Sequence, residues 1–253
     1  MSNTKKDKWR LIPLLEAEGA TQMAIDLWLL QQHRRGLQPS TLRFYTWSPA
    51  AISLGYHQRR WPDFWHQLTW QGKPIDLVRR PTGGRAVLHQ GDLTYAVITS
   101  GIPGRRLDVY KTICQFLIEG WRSLGVELSY GKAGRGYIDR SSCFATATTA
   151  DLVTASGQKS IGSAQLRQGK GILQHGSAIL STNPQLYARV FGEPAPEKVK
   201  LPIDLEGELL IQTIVDALVQ TASRCFEIEL VVEPLSSSEW QEIAAAPRTE
   251  PLK

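Results

Sequence analysis

Three side chains in the second half of the chain have the chemistry of covalent catalysis. Cys143, Lys159 and His175 are a potential nucleophile, a cation and a potential base. A thiol attacks a carbonyl carbon only as a thiolate, and a nearby cation must lower its ordinary pKa of ~8.5. Lys159 would supply that cation if the fold brings it to Cys143, and the Arg-Ser-Ser run before Cys143 indicates an accessible loop. From these residues alone, a solvated strand lysine is the commoner interpretation of Lys159, and a structural histidine that of His175.

The other two cysteines have apolar surroundings. Cys114 lies on the apolar stripe of a predicted helix, and Cys225 precedes an apolar strand. Free cysteines in such settings behave as small buried hydrophobic residues. Three cysteines without a CxxC spacing argue against a disulfide framework and against a zinc site, so we expect no metal.

A second block of interest is RRPTGGRAVLH, residues 79–89. The pair Gly83 and Gly84 leaves room for a ligand to approach the backbone, and glycine adopts conformations that other residues avoid. Exposed amides in such a loop can hold an anionic or carbonyl oxygen. A glycine pair between strands is often only a turn, but the flanking Arg80, Arg85 and His89 favour a binding site here.

The composition is that of a globular domain. The chain has 253 residues, of which 42% are hydrophobic and 21% charged. No stretch approaches the ~18–20 apolar residues of a membrane span, and no apolar signal segment follows the polar start. We therefore expect a cytoplasmic protein that does not interact with membranes.

The net charge of +5 favours acidic partners. The basic residues are scattered, with no RNP motif, zinc finger or long basic helix. We therefore expect no binding to nucleic acid and look instead to acidic proteins.

Periodicity predicts the elements that must position these residues. Apolar spacing predicts helices over 21–34, 107–125, 184–190 and 204–223. Alternation predicts strands over 41–47, 51–55, 75–80, 126–130 and 226–232, two strands within 86–99, and several short strands within 151–180. Strands and helices do not alternate strictly, which indicates an α+β fold. We expect a single domain of mixed, mostly antiparallel sheets flanked by helices, over residues 20–234, with tails at 1–19 and 235–253.

The two blocks together resemble the biotin/lipoate protein ligase superfamily. The runs RRPTGGRAVLH and GDLTYAVI are similar to its substrate-binding loop and strand, and KSIGSAQ and LQHGS to its lysine strand and hairpin. MAIDLWLL resembles the opening helix and SLGYHQ the strand after it, so the resemblance covers roughly residues 20–232. It implies the catalytic-domain fold of that superfamily.

Within the superfamily, CF followed by DL, GQK and GSAQ resembles the cysteine-dependent octanoyltransferase branch. That resemblance implies that Cys143 is the acyl-thioester nucleophile and that Lys159 lowers its pKa and helps to hold the acyl carbonyl. The implied acyl site is lined by Arg80, Thr82, Gly83, Gly84, His89, Gly162, Ala164, Gln165 and His175. His89 and His175 are candidate bases for an attacking lysine, and no cofactor is implied.

The implied reaction moves an octanoyl group from acyl carrier protein to a lysine of a lipoyl-domain protein. Acceptors of this type include the H protein of the glycine cleavage system and the E2 component of 2-oxoacid dehydrogenases. Residues 20–234 would then be a catalytic acyltransferase domain. Three alternatives remain: an amidotransferase between lipoyl-domain proteins, an ATP-dependent lipoate ligase, and a non-catalytic module that binds an acyl chain or nucleic acid.

Overall fold

A computed structural model of the chain describes residues 6–131, 151–196, 198, 201–202 and 204–246. Cys143 lies outside the described residues. The helices are α1 (Gly19–Arg34), α2 (Arg106–Ser123), α3 (Pro184–Phe191), α4 (Gly207–Cys225) and α5 (Ser237–Ala245). The strands are β1 (Asp7–Ala17), β2 (Thr41–Trp47), β3 (Ala51–Leu54), β4 (Thr69–Trp70), β5 (Lys73–Pro74), β6 (Asp76–Arg79), β7 (Val87–His89), β8 (Asp92–Ser100), β9 (Leu128–Tyr130), β10 (Leu152–Thr154), β11 (Lys159–Gln168), β12 (Gly171–Ile179) and β13 (Ile228–Val232).

The main sheet has eight strands within the described ranges, in the order β13-β1-β2-β8-β12-β11-β10-β9. β1 runs parallel to both β13 and β2, and the remaining five pairs are antiparallel. The predicted α+β fold with a mixed, mostly antiparallel sheet is therefore confirmed.

Both faces of this sheet are covered. Along β8, Leu93, Tyr95 and Val97 pack into the cluster that contains α2 and α4. The alternate residues Ala96 and Ile98 pack into a second cluster with α1. Successive side chains of a strand point to opposite faces, so a strand between two helical layers is apolar throughout.

A smaller sheet, in the order β6-β3-β7, carries the glycine block at one end. β3 pairs in parallel with β6 and antiparallel with β7. Its apolar side packs with α3 in a separate cluster that includes Ile52, Trp65, Leu88 and Leu186. Contacts of β3 and β6 with α1 fix the small sheet against the rest of the domain.

The predicted tails are wrong at both ends. Asp7–Ala17 forms β1 inside the main sheet, because its apolar residues Leu11 and Ile12 are buried between β13 and β2. At the other end, α5 packs against α1 through Ile243. The boundaries 20–234 are therefore too narrow, since described residues outside them belong to the same packed unit.

Helices long and apolar enough to cross a membrane are absent from the described ranges. The longest described helix is α4. It buries Ile214, Leu218 and Ala222 on one face and has a polar opposite face.

Candidate active site

A cavity of about 1550 Å³ lies where the two sheets meet α1 and α2. Its walls include every predicted site residue that the structure describes: Arg80, Thr82, Gly83, Gly84, His89, Lys159, Gly162, Ala164, Gln165 and His175. The two blocks of sequence, about 80 residues apart, thus face one space. Their individual roles in catalysis stay predictions.

The glycine block is held in place by Arg80. This buried guanidinium donates to the carbonyl oxygens of Ser53 (2.8 Å), Gly83 (2.9 Å) and Arg85 (2.6 Å). Gly84 has φ 99°, a backbone conformation that favours glycine. A Cβ on Gly55 would collide with the Gly84 carbonyl, so that glycine too is required by a close approach. Arg80 therefore positions the loop as well as lining the cavity.

His175 lies in β12 and is held from both sides of its ring. Its Nδ1 lies 2.8 Å from Asp26 Oδ2, and its Nε2 lies 2.6 Å from Thr82 Oγ1. An ionised carboxylate only accepts hydrogen bonds, so Nδ1 carries a proton. In the neutral ring, Nε2 then accepts a hydrogen bond from the Thr82 hydroxyl.

Asp26 is the buried anion of this group. Arg43 Nη1 donates to its Oδ1 at 2.8 Å, and the Tyr45 hydroxyl donates to its Oδ2 at 3.0 Å. Burial alone would raise the pKa of Asp26, but the Arg43 guanidinium and the His175 and Tyr45 hydrogen bonds lower it below its ordinary value. Asp26 is therefore charged at neutral pH and can stabilise an imidazolium at His175.

His89 forms a second group of the same type, in which an imidazole lies between a carboxylate and a hydroxyl. Its Nδ1 lies 2.8 Å from Asp92 Oδ2, its Nε2 lies 2.8 Å from Ser53 Oγ, and its ring stacks on Trp47. Burial lowers the pKa of His89 despite the opposing effect of the Asp92 carboxylate. His89 is therefore neutral at pH 7 and able to accept a proton.

Lys159 begins β11 with its ammonium group buried. Its Nζ lies 2.9 Å from Asp151 Oδ1, and both side chains are at most 4% exposed. Asp151 also accepts a backbone hydrogen bond from Gly131 at 2.8 Å. Gly131 and Asp151 are the described residues on either side of the segment that contains Cys143, and they are held together beside Lys159.

Gln165 joins a polar network behind the cavity wall. Its Nε2 donates to Gln174 Oε1 at 2.9 Å, and Gln174 in turn donates to the Tyr95 hydroxyl at 3.2 Å. Gly162 and Ala164 lie opposite Ser177 and His175 in the β11–β12 register, where small side chains leave space.

The predictions for the two remaining cysteines differ in outcome. Cys114 is fully buried, as predicted, and burial raises the pKa of its thiol to about 12. Cys225 is only partly buried against the main core, and burial raises its pKa as well. A thiol with a raised pKa is a poor nucleophile at neutral pH.

Sequence reasoning missed the acidic partners of the three basic site residues. Asp26, Asp92 and Asp151 pair with His175, His89 and Lys159 respectively. Two of these acids could have been found in the sequence. Asp26 interrupts the apolar run MAIDLWLL, and Asp151 opens the short apolar run DLV. Within the described ranges, no group of three His, Cys, Asp or Glu side chains could hold a metal ion.

Comparison with known proteins shows which family the chain resembles. The family described as "Lipoyl protein ligase A/B catalytic domain" matches residues 18–218. Octanoyltransferase LipM of Moorella thermoacetica is 40% identical over 185 residues, 70% of this chain and 67% of the relative. Octanoyltransferase LipM of Kyrpidia tusciae is 37% identical over 198 residues, 74% of this chain and 71% of the relative. Among solved structures, lipoate-protein ligase A bound with ATP has a TM-score of 0.74 at 22% identity, with 94% of this chain and 93% of that chain covered.

Proposed function

Because the chain belongs to the family of lipoyl protein ligase A/B catalytic domains, we propose that it is an acyltransferase that transfers octanoyl groups to lipoyl-domain proteins. Two relatives of 37% and 40% identity are octanoyltransferases, and each aligns with at least 70% of this chain. The structural observation that carries the proposal is the cavity where the glycine loop, two Asp-His pairs and a buried lysine meet.

The first half of the proposed reaction loads the enzyme. The Cys143 thiolate attacks the carbonyl carbon of an octanoyl thioester on acyl carrier protein. The bond from this carbon to the donor sulfur breaks, and the donor leaves as a thiol after it gains a proton. One thioester replaces another, so neither ATP nor a metal is required. Lys159 supports this step because a buried ammonium at the cavity wall stabilises a nearby thiolate.

The second half transfers the group to the acceptor. A lysine amine of the lipoyl-domain protein attacks the thioester, an amide forms, and Cys143 leaves as a thiolate. At pH 7 a free lysine with a pKa near ~10.4 is neutral in only about one molecule in a few thousand. A base must therefore take its proton, and His175 and His89, each held by a carboxylate, are the candidates.

An ATP-free transfer assay tests this function. The protein is mixed with octanoyl-acyl carrier protein and an unmodified lipoyl domain, and the mass of the lipoyl domain is followed. We expect one octanoyl group on the acceptor lysine, and no transfer to a lipoyl domain with arginine at that position.

Two further donors separate the alternatives in the same assay. Transfer only with octanoate and ATP would make the protein a ligase instead. Transfer only from an octanoylated lipoyl domain would make it an amidotransferase. The proposal also predicts ping-pong kinetics, with parallel lines in double-reciprocal plots.

A further inference from the structure

The cavity carries a large excess of positive charge. Among the described residues that line it, five are cationic: Arg59, Arg79, Arg80, Arg106 and Lys159. One is a carboxylate, Asp151, and it is already paired with Lys159. The formal balance is 5 − 1 = +4. A cleft lined by one sign of charge concentrates ligands of the opposite sign.

Three of these four net charges, those of Arg59, Arg79 and Arg106, lie towards the mouth of the cavity. Lys159 and Arg80 are buried, whereas Arg59 and Arg106 are exposed and Arg79 is half-buried. We define the cationic rim as Arg59, Trp61, Arg79 and Arg106. The octanoyl chain is uncharged, so neither it nor the inner catalytic groups account for this rim.

The rim is organised by hydrogen bonds to the loop after β3. Arg79 Nη1 donates to the carbonyl oxygens of Gly55 at 2.9 Å and Gln58 at 2.8 Å, and its guanidinium lies 5.5 Å from the Trp61 ring centroid. Burial lowers the pKa of Arg79, and the neighbouring Arg59 lowers it further. Arg59 and Arg79 both line the cavity, and Arg59 directly follows Gln58, whose carbonyl accepts the hydrogen bond from Arg79.

Within the part of the chain that the structure describes, Arg59, Arg79 and Arg106 form no ion pair with a carboxylate, and Asp108 in the first turn of α2 pairs with Arg105. The ion pairs there involve other arginines, such as the Arg122 pairs with Glu119 and Glu127. Arg106 opens α2, whose first turn also lines the cavity, and the positive end of the helix dipole adds to the field. The mouth is thus suited to an anion that enters with a neutral group ahead of it.

The size of the cavity fits a ligand longer than an octanoyl chain. Ordinary small-ligand sites measure roughly 300–1,000 Å³, and this one is about 1550 Å³. A thioester donor of the pantetheine type has its phosphate at the far end of a neutral arm from the acyl group. When the acyl group reaches the inner end, that phosphate is the part left towards the mouth.

We propose that the cationic rim binds the phosphate of a phosphopantetheine-type acyl donor and so orients its thioester towards the inner end of the cavity. This inference rests on the proposed function, since it concerns how the donor of that reaction is recognised. Arginine suits this role because its fixed fork of donors matches phosphate oxygens. The phosphate chemistry is shared by carrier protein and by coenzyme A.

The test compares donors that differ by one phosphate. Enzyme acylation is measured with octanoyl-pantetheine and with octanoyl-4′-phosphopantetheine, at constant ionic strength. The readout is the ratio of the two kcat/KM values. We expect the wild type to prefer the phosphorylated donor by about tenfold or more. Arg59→Gln and Arg106→Gln should bring this ratio close to one.

Arg35→Gln is the matched control, because Arg35 is an exposed arginine outside the cavity lining and its loss changes the net charge equally. Its ratio should stay at the wild-type value. A wild-type ratio near one would overturn the proposal, and so would a ratio that falls equally in the Arg35 variant.

Donor source is tested with octanoyl-coenzyme A and octanoyl-acyl carrier protein. If the rim variants are acylated more slowly by both donors, the result supports recognition of the shared phosphate. Loss with carrier protein alone would mean that the rim contacts the protein surface, which contradicts the proposal.

Binding measurements with ligands that carry no acyl group test the rim independently of the acyl transfer reaction. Calorimetric titration with 4′-phosphopantetheine and with pantetheine should show tighter binding of the phosphorylated compound, and the rim variants should lose the difference. If no thioester acylates the enzyme, the proposed function fails, while this titration still decides whether the rim binds phosphate.

Discussion

At the scale of single residues, the site is a set of basic groups, each held by a buried acid. A carboxylate that accepts a hydrogen bond from Nδ1 fixes the ring orientation and stabilises the imidazolium that forms when Nε2 takes a proton. Asp26 does this for His175 and Asp92 does it for His89. Breaking a buried pair leaves an uncompensated charge, so the acids matter to folding as well as to chemistry.

His175→Ala tests the base in the second half-reaction. Loading of Cys143 should persist, because it needs no proton from the acceptor. Transfer to the lipoyl-domain lysine should fall by about 10²–10⁴-fold. Rapid quench with octanoyl-acyl carrier protein, followed by addition of acceptor, measures the two steps separately. Equal loss of both steps would remove His175 from this role.

Lys159→Met tests the effect of the buried ammonium on Cys143. Without the positive charge, the pKa of the Cys143 thiol should rise, and the rate of its alkylation by iodoacetamide should reach half-maximum at higher pH. The matched control is Lys170→Met, which removes an exposed lysine outside the cavity lining. Identical alkylation profiles for the wild type and the Lys159 variant would contradict the assignment.

At the scale of elements, the two chain ends close the domain. Arg10 of β1 is buried and makes a bidentate pair with Glu239 of α5, at 2.7 and 2.8 Å. Its Nε and Nη2 also donate to the carbonyls of Glu233 and Pro234. One arginine thus joins β1 to both the start of α5 and the segment before it.

Glu239→Gln tests this connection through its pH dependence. Hydrogen bonds from Arg10 lower the pKa of Glu239 from 4.5 to about 2. A lowered folded-state pKa means that the stabilisation is complete above about pH 4.5 and is lost as the pH falls towards 2. The variant should lose about 1–3 kcal/mol at pH 7 in urea unfolding, and the difference from wild type should shrink between pH 4.5 and 2.

Glu229→Gln provides the matched control for that measurement. Glu229 pairs with Lys8 at 3.6 Å, and both side chains are more than half exposed. Such surface pairs contribute about 0–1 kcal/mol. If the Glu229 variant loses as much stability as the Glu239 variant, the loss comes from the position of these residues at the edge of the domain and not from the buried ion pair.

Sequence periodicity was sufficient to predict most helices and strands, but not the first strand and the last helix of the chain. The apolar stripe of Leu107–Gly125 and the alternation of Thr41–Trp47 correspond to α2 and β2. β1 was missed because adjacent apolar residues and Pro13 interrupt its alternation, and because one of its two partners, β13, is about 220 residues away. The start of α5 did carry one: Ser236 and Glu239 form a capping box, which the S-x-x-E spacing predicts.

The candidate site was likewise predicted only in part. The glycine block and the lysine strand were predicted from motifs, and the structure brings them to one cavity. The partners Asp26 and Asp151 could not be assigned, because nothing local says which base a buried acid will meet. Tertiary packing determines that choice.

At the scale of the whole molecule, the net charge is +5, and three cationic side chains, Arg59, Arg79 and Arg106, line the mouth of the cavity. Acyl carrier proteins and lipoyl domains are generally acidic, so encounter should be accelerated by long-range attraction. Salt screens such attraction, with a Debye length of about 10 Å at 0.1 M.

Salt dependence of the loading step tests this attraction. Raising the ionic strength from about 0.02 M to about 0.5 M should slow acylation by octanoyl-acyl carrier protein by about tenfold or more. Uncharged octanoyl-pantetheine serves as the control donor and should show little change. A carrier-protein rate that does not respond to salt would contradict steering by the charged mouth.

The most direct measurement for the covalent mechanism is the intact mass of the protein after incubation with octanoyl-acyl carrier protein in the absence of ATP. We predict one octanoyl adduct that hydroxylamine removes, absent from Cys143→Ala and retained in Cys225→Ser. An adduct that survives in the Cys143 variant, or no adduct on the wild type with an intact donor, would contradict transfer through a Cys143 thioester.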